Sequence, residues 1–108
     1  MNESAFELID WTRLASCMHR GETGSAHERA IVLGGLRVRL VEYSQGYVPD
    51  HWCERGHLVL LLKGDLAIRF ADGSECHVSQ GMACKIAASA ERPHQALRRS
   101  GATAFILD

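Results

Sequence analysis

From Ala30 onward a glycine, an Asp-Gly pair or a proline interrupts the chain about every 8–12 residues, and the stretches between are apolar or alternate apolar with polar. That rhythm belongs to a sandwich or barrel of short strands and leaves little room for helix. The candidate strands are 30–33, 36–43, 49–53, 57–62, 65–70, 75–78, 82–86, 93–97 and 102–107. Gly34-Gly35 suits a two-residue hairpin turn with positive φ at both positions. Gly64-Asp65 and Asp72-Gly73 predict two further tight turns, so neighbouring strands should pair antiparallel. In 36–43, Leu36, Val38 and Leu40 alternate with Arg37 and Arg39, the period of a half-buried strand.

Residues 1–28 read differently: a short apolar-periodic piece (Phe6, Leu8, Ile9, Trp11, Leu14) runs into the polar stretch 19–25. The expected organisation is an N-terminal arm over 1–28, opened by a short helix or edge strand, and one β domain over 29–108. A chain of 108 residues holds one such core rather than two. Twelve Lys+Arg against thirteen Asp+Glu leave a formal charge of -1, which argues against nucleic acid or an anionic membrane as partner. The longest apolar run, 58–62, falls far short of the roughly 20 residues that cross a bilayer.

The start Met-Asn-Glu-Ser has no basic segment leading into an apolar one, which predicts a cytoplasmic, reduced protein. There Cys17, Cys53, Cys76 and Cys84 serve as thiols or metal ligands rather than as a disulfide framework. The run 57–62 is apolar on both faces, so something must cover the second one. The arm around 6–14 and a second copy of the chain are the two candidates. An exposed row of Leu58, Leu60 and Leu62 would invite association, and a homodimer is the expectation.

The chemistry concentrates in 46–57, Gly-Tyr-Val-Pro-Asp-His-Trp-Cys-Glu-Arg-Gly-His. His51 and Cys53 lie two apart on a candidate strand and so share a face. Glu54-Arg55-Gly56 has the length and the glycine of a three-residue hairpin loop. It sets His57 across from Cys53, at the roughly 4.5–5.5 Å Cβ spacing of cross-strand partners. That reach suits two ligands of one ion. His94, just after Pro93, is a fourth candidate that only the fold can bring near. Cys17, Cys76 and Cys84 lack such company, and His19 and His27 read as solvated. Val59 and Leu61 share the strand parity of His57 and should line an apolar interior open to a small organic ligand. Trp52 should pack away from it, while Tyr43, Tyr47 and Glu42 fall near the expected mouth.

The pattern His51-x-Cys53-x3-His57-x6-Gly64 resembles the first motif of the cupin superfamily, Gly-x5-His-x-His-x3–4-Glu-x6-Gly. Gly81, the turn around 87–89 and His94 resemble the second motif more loosely. The resemblance runs over 46–94 and is nearest to small single-domain bacterial cupins with a Trp-Cys-x2-Gly-His motif. It implies an all-β fold, a cupin-type jelly-roll β-barrel (double-stranded β-helix) with a metal inside and frequent dimerisation. Functions in the superfamily range from dioxygenases and isomerases to non-catalytic binding modules.

Cys53 stands where the second His would be and His57 where the Glu would be. The Gly46-to-His51 gap is one residue short, and Ala87 and Ser89 replace the Pro and Gly of the second motif. The implied ligand set is His51, Cys53, His57 and His94. With one thiolate it is soft and favours zinc, or copper, among divalent transition metals, ahead of iron, nickel or manganese. The expectation is a metal-binding small cupin module that binds a small molecule inside its barrel. The alternatives are a metal-dependent oxygenase or isomerase, and a non-catalytic redox or stress sensor using Cys53. Four donors on zinc would close the tetrahedron, whereas an open position would admit water or substrate.

Overall fold

The computed structural model describes residues 6–50, 52–53, 56–87, 94–97 and 101–108. Eight strands lie among them: β1 (Cys17–Arg20), β2 (Ser25–Leu33), β3 (Leu36–Tyr43), β4 (His57–Phe70), β5 (Glu75–Ser79), β6 (Ala83–Ile86), β7 (His94–Leu97) and β8 (Ala102–Leu107). Every pairing between them is antiparallel. One 3-10 turn, Trp11–Arg13, precedes them, capped by the Asp10 carboxylate accepting from the Thr12 N–H. No helix among the described residues is long and apolar enough to cross a membrane.

The strands run side by side in the order β1-β2-β3-β8-β4. The first half of β4 has β8 on one side and β6 on the other. Its second half has β5 and β7 instead. One strand thus serves both sheets of a jelly-roll β-barrel, the architecture expected from the sequence. The two-residue turn at Gly34-Gly35 forms as expected, with φ of 55° and 82° and Leu33 opposite Leu36.

Gly64-Asp65 is not a turn. β4 continues through it, which merges the candidate strands 57–62 and 65–70. The register slips between Leu61 and Lys63, and Gly64, at φ 84°, lets the strand bend from one sheet to the other. Bulge and glycine together make a barrel corner.

Three other expectations change in detail. The sheet reaches further toward the N-terminus than the strand pattern suggested: β1 and the first residues of β2 pair Cys17 through Arg20 with Ser25 through Glu28. Polar side chains there do not oppose a strand at a sheet edge, where one flank faces water. The stretch 49–53 forms no continuous strand among its described residues. Val48 instead exchanges backbone hydrogen bonds with Glu22 and Thr23, at 2.8 and 3.0 Å, and Pro49 has no N–H to continue a ladder.

The third change concerns β3, whose alternation holds but faces the other way. Arg39 lies opposite Ile106, which lies opposite Val59 on the inner side, whereas Leu40, Phe105 and Leu60 form the outer row. The inner face therefore carries two guanidinium groups.

The core is built of large-against-small rows. Ala104, fully buried, sits between Val41 on β3 and fully buried Leu61 on β4, which fills the barrel without overpacking. Leu66, Ile68 and Val78 continue the core past the bend. On the outer row the Trp11 ring meets Phe105 edge-on, with centroids 6.0 Å apart, and Arg29 Nε donates to the Leu14 carbonyl at 3.2 Å. The arm thus covers the middle of the second apolar face. Leu58 and Leu62, further along β4, each stay 44% exposed.

Candidate functional site

A cavity of about 670 Å³ opens into the barrel, lined by apolar Val59, Ile68 and Ile106 together with Arg37, Cys53 and His57. Cys53 Sγ lies 3.2 Å from His57 Nε2. The other ring nitrogen of His57, Nδ1, lies 3.2 Å from Asp108 Oδ2. Asp108 is gripped in turn: Arg37 donates from Nε to Oδ1 and from Nη2 to Oδ2, each at 3.0 Å, and Arg39 Nη2 donates to Oδ2 at 3.1 Å. Arg39 also reaches Glu28 at 3.4 Å, and Glu28 meets His19 at 2.9 Å. A line of polar contacts therefore runs from the thiol at the barrel interior to the histidine on β1.

Two ionisation states follow from these contacts. The hydrogen bonds from Arg37 hold the Asp108 carboxyl below its ordinary value, against the opposing effect of burial. Burial, helped by Arg39, holds the His57 imidazole below its own, and the pull of Asp108 does not reverse it. A neutral imidazole is the state a histidine metal ligand needs.

Both shifts act in one direction on stability. The unfolded chain protonates His57 first as pH falls below 6.5, so stability of the metal-free protein declines from there downward. The contribution of Asp108 stays intact above 3.8 and is lost as pH falls through its lower folded value. Thermal unfolding across pH should show an early loss between about pH 7 and pH 5 that His57→Gln removes. A melting temperature flat over that interval in the parent protein would contradict it.

Of the four expected ligands, Cys53 and His57 come together. At the tetrahedral angle, bonds of about 2.3 Å to sulfur and about 2.0–2.1 Å to nitrogen separate the two donors by roughly 3.6 Å, so their spacing fits one ion after a shift of a few tenths of an ångström. His51 lies outside the described residues. The backbone of His94 is described, opposite Phe70 at the start of β7, but its side chain is not. Among the described residues no group of three His, Cys, Asp or Glu is arranged around one point.

Other expectations sort themselves. Tyr43 and Tyr47 line the cavity, their rings 5.1 Å apart, whereas Glu42 faces away and pairs with Arg29 at 3.1 Å. Val59 and Leu61 are buried as their parity required, whereas Trp52, expected to pack, is 41% exposed. His19, read as solvated, is exposed as expected, at the cavity rim where it contacts Glu28. Asp108, Arg37 and Arg39 were absent from the sequence-derived site. The signal available for them was an Arg-x-Arg pair on a strand, which needs an acidic partner if it faces inward.

The fold is similar to that of a sugar phosphate isomerase of the cupin superfamily from Silicibacter pomeroyi, at 18% identity and a TM-score of 0.71 over 94% of this chain and 74% of that one. It is also similar to a predicted oxalate decarboxylase from Thermotoga maritima, at 8% identity and a TM-score of 0.77 over 94% and 96% of the two chains. A cupin-like protein from Thermotoga maritima matches at 14% identity and a TM-score of 0.68, over 83% and 77%. No family model matches the sequence, and no curated protein matches it. The chain has a cupin fold.

Proposed function

We propose that this protein is a small metal-binding cupin module that takes a divalent transition metal, zinc first, on His51, Cys53, His57 and His94, and binds a small molecule beside it. The observation that carries the reading is the Cys53–His57 pair on the cavity wall, 3.2 Å apart, with a carboxylate on the far nitrogen of the imidazole. A bound ion would supply Lewis acidity toward an oxygen of the ligand. The chain supplies the rest: His57 offers a neutral nitrogen, Asp108 orients it, and Val59, Ile68 and Ile106 keep an apolar ligand body out of water.

Metal analysis of purified protein tests this. About one metal per chain is expected in the parent, with marked loss in Cys53→Ala and in His57→Ala. Equal metal content in all three would reject the reading. Coordination number then separates binding from catalysis: four protein ligands favour a closed structural site. Three ligands and a water would favour an isomerase or oxygenase, a reading supported by the likeness to the Silicibacter isomerase. The same reading includes a homodimer in which Leu58 and Leu62 leave water. A monomeric mass by light scattering would remove that part of it.

A further inference from the structure

We infer that Asp108 is the positioning residue of this centre, fixing His57 in the tautomer whose bare Nε2 faces Cys53. The functional consequence rests on the metal-binding reading, but the tautomer itself does not.

Asp108 is held from two directions. Its N–H donates to the Arg37 carbonyl at 2.9 Å, which ties it to β3 at the end of β8. Its carboxylate receives three guanidinium hydrogen bonds, two from Arg37 and one from Arg39. A carboxylate held by two guanidinium groups carries no proton and only accepts. The contact with His57 Nδ1, at 3.2 Å, is therefore donated by the ring. A neutral imidazole has one N–H, so Nε2 is left with its lone pair, 3.2 Å from Cys53 Sγ. A metal ligand needs that lone pair, and a carboxylate on the opposite nitrogen is the usual means of fixing it. The support comes from two paired strands rather than a loop, which holds the ring within a narrow range of orientations.

Nitrogen-15 NMR of the histidine rings reads the tautomer directly in metal-free protein. The expected result is a proton on Nδ1 of His57 and none on Nε2. In Asp108→Asn the amide oxygen keeps the bond from Arg37 Nε, while the NH2 that replaces Oδ2 faces His57 Nδ1 and gives up the bonds from the two Nη2 groups. The ring proton should then move to Nε2, and zinc affinity, measured by competition with a chromophoric chelator, should fall about 10–100-fold. Asp108→Glu, which keeps an acceptor, should retain the Nδ1 proton.

A parent protein protonated on Nε2 would overturn the inference, and so would Asp108→Asn with unchanged tautomer and unchanged zinc affinity. Should Asp108→Asn fail to fold, the parent spectrum alone decides the assignment. A parent with the Nδ1 proton that binds no zinc would sink the metal reading while upholding the role of Asp108 in orienting His57 toward Cys53.

Discussion

Gly64→Ala is expected to cost about 3–5 kcal/mol, a large part of the 5–15 kcal/mol that typically holds such a domain folded. Two separate effects add at this position. Its φ of 84° is one that side-chain-bearing residues adopt only with strain. A Cβ built there would also sit 2.2 Å from the Gly101 carbonyl oxygen and 2.9 Å from Ala102 Cα. Both atoms belong to the backbone of β8 or its approach, where Ala102 pairs with Gly64 itself, so neither can withdraw without opening the sheet. Gly46→Ala is the control: φ is 72° but a Cβ there meets nothing within 4 Å, so only the backbone strain of about 1–2 kcal/mol remains. Urea denaturation of the two variants measures the difference. Equal losses would mean that the corner of the barrel does not depend on the close approach of β8 to Gly64.

The same glycine marks the limit of what the sequence could tell. A glycine between two apolar runs signals positive φ, yet a hairpin turn and a strand bend share that signal. The choice was made by Gly101 and Ala102, distant in the chain and close in space. On β3 the period of two was legible in Leu36, Arg37, Val38, Arg39 and Leu40, but alternation is symmetric and does not say which face turns inward. Asp108 decides it, since a carboxylate on the inner side draws both guanidinium groups toward it. The nearness of Cys53 and His57 could be read from their spacing, because only three residues separate them in the chain. A single aspartate at the end of the last strand has no such spacing, so its contact with His57 emerges only once β8 is laid between β3 and β4. The rhythm of breaks from Ala30 onward, by contrast, carried the all-β fold on its own.

Asp108→Ala should destabilise the protein by about 3 kcal/mol, at the low end of what removing one member of a buried ion pair costs. The low end is appropriate because the Arg37 side chain is 37% exposed and can turn to water, whereas that of Arg39 is only 15% exposed. Arg39 would keep Glu28 at 3.4 Å, while its buried Nε already lacks a partner among the described residues. The informative companion replaces all three charges, combining Arg37→Met, Arg39→Met and Asp108→Leu. Glu28 retains His19 at 2.9 Å in that variant, no guanidinium is left stranded, and stability should return to within about 1 kcal/mol of the parent. His57 would still lack its acceptor, so zinc affinity should stay as low as in Asp108→Ala. Urea denaturation and chelator competition on the two variants separate the contributions. If the apolar triple is as unstable as Asp108→Ala, the charges are there to hold the barrel together rather than to orient the imidazole.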